Sequence, residues 1–243
     1  KKAGTYFFRE YEGVCTHTPR HTDPKTCDNK TPAIFTSRQM VNHLSGKKTY
    51  APYQISEDNT VKWVCIDIDA YDDAPDEEVR GLTLAVARNM HRILGAHHCL
   101  VEQSGSKGYH VWVFFDEPLE AYIAYALGHK IIRGLPNTEL ISIEVYPKQH
   151  TRSLVGNTVK LPLGIHQKTQ TRCLFVNTNF EPHKDQWSTL RDVEPVSVAW
   201  VREHIEAYEP EEQTQYHTET DWAPLCLVEA LEKGVRQGIR DEA

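Results

Sequence analysis

Two carboxylates, Asp67 and Asp69, stand two residues apart inside the apolar run Val64-Cys65-Ile66-Asp67-Ile68-Asp69-Ala70-Tyr71. The stretch 61–69 is mainly β-branched and aromatic and reads as a strand. On a strand, residues i and i+2 share a face. Any sheet built on this segment therefore carries two acids side by side. Burying them is costly unless a cation meets them. A divalent metal is the simplest such cation, and Mg²⁺ with a phosphate substrate is the commonest use of the pair. Taken alone, Asp-x-Asp reads equally well as two solvated acids at a strand end.

The chain of 243 residues, 40% hydrophobic, has enough apolar material for one large domain or two small ones. There is no run of 18 apolar residues and no signal peptide, which predicts a cytoplasmic protein with no membrane partner. Residues 1–4 look like the tail of a recombination-cloning linker and are set aside. The net charge of −7 argues against a basic coat that binds nucleic acid everywhere. A local basic groove is compatible with it, because Lys107, Lys148, Arg152, Lys160, Lys168 and Arg172 share the middle of the chain with the acidic motifs. Six scattered cysteines read as reduced, with Cys65, Cys99 and Cys173 as small core residues.

The segment 5–34, rich in Thr, Pro, His, Asp and Lys, reads as irregular. A short helix is predicted over 37–46, between Ser37 and Gly46. A longer one follows Pro75 to about Gly95, with Val79, Leu82, Val86, Met90 and Ile93 at helical spacing and acids in its first turn. Strands are predicted at 98–103 and 109–115, joined by the turn Ser104-Gly-Ser-Lys-Gly108 as a hairpin. A helix is expected at 119–133, a strand at 140–146, an antiparallel pair at 157–163 and 171–176, and a helix at 196–207. Residues 208–220 read as an acidic linker, followed by a helix at 223–235. No internal repeat is visible. Strands and helices mix without strict alternation, which predicts an α+β domain with a mainly antiparallel or mixed sheet.

Further segments carry chemistry. In Ser104-Gly-Ser-Lys-Gly-Tyr-His110, small residues let backbone amides approach a phosphate, and Lys107 adds charge. It also fits an ordinary hairpin turn ending in a surface histidine. Glu144, in Ile141-Ser-Ile-Glu-Val-Tyr-Pro147, is a third acid within an apolar strand. In Gly156-Asn-Thr-Val-Lys-Leu-Pro-Leu-Gly-Ile-His166, Lys160 and His166 flank a glycine turn suited to phosphate contacts. Three carboxylates, cationic contacts and a Gly-rich turn together make the parts of a phosphoryl-transfer site.

The order and spacing of these four motifs resemble the archaeo-eukaryotic primase superfamily. The Lys-Leu-Pro-Leu-Gly-Ile-His segment is similar to the primase-polymerases of bacterial conflict systems (TOTE-type) and CRISPR loci. The resemblance covers roughly residues 35–176, and Glu144 stands where most of the superfamily carries aspartate. It implies an RRM-like catalytic sheet with helices packed on it, spanning 35–207. It implies that Asp67, Asp69 and Glu144 hold two Mg²⁺ or Mn²⁺ ions. Ser104, Lys107 and His110 would bind an incoming nucleoside triphosphate, with Lys160 and His166 at its β/γ phosphates. His166 stands where relatives often carry lysine, so its role would depend more on pH. Tyr53 would sense the sugar 2′ position, or is simply a packed aromatic. Implied partners are a single-stranded DNA template, a primer and nucleoside triphosphates.

The N-terminal segment offers Cys15, His17, His21 and Cys27, four ligand types suited to structural zinc. The relatives' knuckle carries a Cys-x-x-Cys pair, and Lys30 stands where its second cysteine would fall. The alternative is free cysteines and surface histidines. Residues 208–243 resemble a linker and the start of a helical accessory region of a longer polypeptide. Their alternative is an amphipathic helix with Leu225, Val228, Leu231 and Val235 as its core face. Two functions compete with template-directed nucleotidyl transfer: a metal-dependent nuclease or phosphodiesterase using the same acids, and a non-catalytic nucleotide- or DNA-binding module.

Overall fold

The computed structural model describes residues 7–11, 30–32, 37–71, 73–136, 138–152 and 157–207. The candidate zinc ligands Cys15, His17, His21 and Cys27, and the expected C-terminal helix, lie outside the described residues. The chain divides into two compact units, Lys1–Glu209 and Pro210–Ala243, and the described residues all belong to the first.

The elements run β1 (Phe7–Tyr11), β2 (Lys30–Pro32), α1 (Ser37–Leu44), β3 (Thr49–Pro52), β4 (Thr60–Ala70), α2 (Asp76–Leu94), β5 (Cys99–Gln103) and β6 (Tyr109–Glu120). Then come α3 (Ala121–Ile132), β7 (Ile141–Tyr146), β8 (Phe175–Val176), α4 (Gln186–Asp192) and α5 (Val198–His204). They form the α+β architecture expected. A five-stranded sheet has the order β7-β4-β6-β5-β8, with every described pairing antiparallel. A second, three-stranded sheet has the order β2-β1-β3. Its strands β1 and β2 fall inside the segment that composition alone marks as irregular.

β4 occupies an interior position of the large sheet, and both of its faces are covered. Val64, Ile66 and Ile68 point into the main core with Val111, Val113 and Val145, against Val79, Leu82, Val86 and Met90 of α2 and Ala124, Leu127 and Ile131 of α3. The predicted stripe of α2 is thus the face that packs. Its N-terminus carries Asp76, Glu77 and Glu78, and Gly95, at φ +92°, ends it. On the other face, Cys65, Trp112, Tyr146, Val159, Leu163 and Phe175 form a smaller cluster. That second layer is why the residues from Val64 to Ile68 are buried without interruption.

Three expectations need correction. The 109–115 strand continues to Glu120, pairing through Leu119 with Val61 past an irregularity between Val61 and Trp63, so α3 begins at Ala121 rather than 119. The 157–163 stretch is not a strand paired with 171–176. It makes an isolated bridge from Thr158 to Tyr53, and β8 pairs with β5 instead. Pro162 and Gly164 in and beside that stretch, and Leu163 at φ +64°, prevent a continuous ladder. Finally, α4 is formed where no helix is predicted, capped by Asp185, whose Oδ1 accepts from the amides of Trp187 and Ser188.

Candidate active site

The antiparallel register aligns acids and a histidine across the sheet. Asp67 is paired with Glu144 on β7 and with His110 on β6, and His110 is paired in turn with Glu102 on β5. Directly paired residues point to the same face. Glu144, Asp67, His110 and Glu102 therefore form one row across four strands. One pleat further along β4, Asp69 lies opposite Ser142.

Asp67 is 9% exposed, and its Oδ1 has no hydrogen-bond partner among the described residues. His110 Nε2 lies 3.4 Å from it without hydrogen-bond geometry. Burial first, and then the carboxylates of Asp69 and Glu144, push the Asp67 carboxyl up to about 6, against the pull of His110. Asp69 is exposed. Glu144 is half-buried, with Oε2 2.5 Å from Lys148 Nζ and accepting from the Tyr146 hydroxyl at 3.2 Å. Burial and the Glu144 and Asp67 charges push the Tyr146 hydroxyl upward.

The turn between β5 and β6 borders the row. Ser104 N–H donates to the Gly108 carbonyl at 3.0 Å, closing it. Gly108 touches β4 so closely that a Cβ there would lie 2.3 Å from the Ile68 carbonyl and 3.1 Å from Asp69 Oδ1. Lys107 projects from the exposed part of the turn. Gly105, at φ +89°, abuts the 160–173 loop, where a Cβ would meet His166 Cβ at 2.5 Å.

That loop is held by side chains rather than by a ladder. His43 is fully buried. Its Nε2 lies 3.1 Å from both the Leu161 and Pro162 carbonyls, while Nδ1 accepts from Tyr50 N–H at 3.2 Å. Burial keeps it below the ordinary histidine value, consistent with a neutral ring donating from Nε2. Arg172 donates to the Leu163 carbonyl at 2.9 Å. Lys160 Nζ reaches the Ser104 carbonyl at 3.2 Å and Cys173 Sγ at 2.7 Å, tying the loop to the turn. His166 Nδ1 is 2.9 Å from Thr169 Oγ1, which donates to the Gly105 carbonyl. Burial, followed by the charges of Lys160 and Lys168, lowers the His166 ring below its ordinary value. At neutral pH it is a hydrogen-bonding group rather than a charge.

Asp67, Asp69 and Glu144 thus share a face, and Ser104, Lys107, His110, Lys160 and His166 lie on the turn, strand and loop at its edge. Tyr53 is half-buried and bridges to Thr158 at the start of the loop. Cys65, Cys99 and Cys173 are free thiols. Two residues of the site carry no prediction from sequence. His43 lies on α1 with no local signal of its role. Glu102 is an acid in an apolar strand, the same signal that singles out Glu144.

A bound cation is the natural complement of a buried, partnerless carboxylate oxygen flanked by two further acids, so the donor set fits a hard divalent ion. Among the described residues no three His, Cys, Asp or Glu side chains close around one point. Glu144 is drawn to Lys148 instead.

The family model for the archaeo-eukaryotic primase domain of the TOTE conflict system matches residues 2–204, and the chain belongs to that family. It is similar to the AEP domain of the cyanophage S-2L primase-polymerase, at 14% identity and a TM-score of 0.38, over 79% of this chain and 90% of that one. It is also similar to the polymerase domain of Mycobacterium tuberculosis ligase D in complex with DNA. There the identity is 21% and the TM-score 0.38, over 58% of this chain and 50% of that one. No curated protein matches the chain. Among the described residues no helix is long and apolar enough to cross a membrane.

Proposed function

We propose that this chain is a DNA-directed nucleotidyltransferase that joins nucleotides on a single-stranded DNA template, extending or making a primer. The observation that carries the reading is the buried Asp67 carboxylate, whose Oδ1 has no hydrogen bond among the described residues, in register with Glu144 and His110, beside Asp69 and bordered by the cationic turn and loop. Family membership agrees with it. Asp67, Asp69 and Glu144 would hold two magnesium or manganese ions, which when bound supply Lewis acidity to the attacking 3′-hydroxyl and neutralise the pyrophosphate that leaves.

The protein's own groups do the rest. Amides of the 104–108 turn and the ammonium groups of Lys107 and Lys160 bind the triphosphate. His110 Nε2 faces the acid row, and with Nδ1 donating to Glu102 it is the doubly protonated ring that donates from Nε2 to a phosphate oxygen there. His166, neutral at pH 7, contributes a hydrogen bond to the same arm. Lys148 neutralises Glu144 at the edge of this face.

The test is incorporation of labelled nucleotides opposite a single-stranded template. Asp67→Ala with Asp69→Ala should abolish incorporation while circular dichroism is unchanged, and persisting synthesis would refute the assignment. Lys160→Met should weaken metal-dependent triphosphate binding by about 10–100-fold, the worth of one charge-assisted hydrogen bond. A nuclease working with the same acids would cut DNA and be indifferent to Lys160→Met.

A further inference from the structure

Glu102 lies in β5, 0% exposed, at the end of the Glu144, Asp67, His110 row. Three hydrogen bonds join it to groups elsewhere in the site. Oε2 lies 3.0 Å from His110 Nδ1 and accepts from Trp112 Nε1 at 3.0 Å, and Oε1 accepts from Leu163 N–H at 2.9 Å. The hydrogen bond from His110 and the nearby Lys160 charge, with the Leu163 amide, outweigh burial and hold this carboxyl below its ordinary value. An ionised carboxylate only accepts, so His110 Nδ1 must carry a proton, and the opposite nitrogen, Nε2, is the one turned to Asp67. Leu163, at φ +64°, sits midway between Lys160 and His166, and Glu102 anchors its amide. A single carboxylate thereby grips β6 at the histidine and the loop that bears the other candidate phosphate contacts. A buried carboxylate is a poor way to stabilise a sheet, since apolar replacements of such groups often do as well. Its geometry is that of an outer partner fixing the groups that meet a ligand.

We propose that Glu102 is a positioning residue for the triphosphate arm, setting the ring of His110 and the Lys160–His166 loop in one geometry. What the arm binds rests on the nucleotidyl-transfer reading; the positioning does not.

Two measurements test it. In the full chain with isotope-labelled histidine, the ring-nitrogen spectrum of His110, assigned by its loss in His110→Gln, should show a protonated Nδ1. A neutral ring protonated at Nε2 alone would overturn the proposal. In Glu102→Gln, which keeps the volume but replaces one acceptor with a donor, the dissociation constant for a manganese–nucleoside triphosphate should rise about 10–100-fold. Affinity for a single-stranded oligonucleotide should be unchanged. In a His110→Ala background the same change should cost clearly less, because part of its route is gone. Triphosphate affinity equal to wild type, equal losses for triphosphate and oligonucleotide, or full additivity with His110→Ala would each refute it. If Glu102→Gln does not fold, the ring spectrum of the unaltered chain decides. A wild-type chain that binds no triphosphate would defeat the nucleotidyl-transfer reading, while that spectrum still judges the positioning.

Discussion

At Asp67 a carboxylate sits 9% exposed with one oxygen lacking a donor. Its pKa is pushed up to about 6 from an ordinary value of 3.8, by burial first. The folded protein therefore binds a proton there more tightly than the unfolded chain. The resulting destabilisation is absent below about pH 4, grows through the window to pH 6, and is complete above it. By linkage it amounts to about 3 kcal/mol at pH 7. Asp67→Asn should accordingly stabilise the metal-free protein against urea at pH 7 and lose that advantage at pH 4. Addition of Mn²⁺ should raise the melting temperature of the wild type and leave Asp67→Asn nearly unmoved. The sequence marked this residue as one whose burial would call for a cation, while Asp-x-Asp alone read equally well as a solvated strand end; the burial itself is what the fold adds. The sequence did not foretell His43, whose role arises from carbonyls far along the chain. His43→Ala should destabilise the fold by about 2–4 kcal/mol, combining a cavity with orphaned polar groups. The loss should also appear as faster amide exchange at Tyr50.

Among the elements, the β5–β6 hairpin binds the site to the sheet through close backbone approach. Gly108 lies against the Ile68 carbonyl, which is backbone and cannot rotate away. Gly108→Ala should cost about 1–3 kcal/mol in urea unfolding, the usual range for overpacking. It should also displace Asp69, lowering activity more than stability alone accounts for. This hairpin, β4, α2 and β7 were legible because each is written in local periodicity and turn chemistry. The 157–163 stretch misled because its Val and Leu residues imitate a strand, while Pro162 and the adjoining Gly164 already spoke against one. The β1–β3 sheet was illegible for the opposite reason: its strands are short and lie in sequence that lacks alternation. Glu102 was visible as a type of signal, but its distance from the acid pair in sequence hid its membership of the row.

For the molecule as a whole, the described core spans His43 to Ile205 within a single unit, closed by α5. Val198 and Val201 of α5 are buried, Arg202 pairs with both oxygens of Glu120, and Asp116 accepts from the Val198 amide. A chain ending at Val196, which removes α5, should therefore melt markedly lower than the full chain or fail to fold. Differential scanning calorimetry measures the difference.

By itself the sequence determined the kinds of group present and their local setting: two acids on one strand face, a third in another strand, a glycine turn beside a lysine, and the helices that cover the sheet. These follow from backbone preferences and from the spacing of neighbours along the chain. Only the tertiary structure decided that Glu144 and His110 flank Asp67, that Glu102 reaches both His110 and the Leu163 amide, and that the Lys160 segment is a pinned loop. Strand order and register are fixed by burying both faces of β4 and satisfying the backbone donors at the same time. That condition joins residues far apart in sequence, and no local pattern records it.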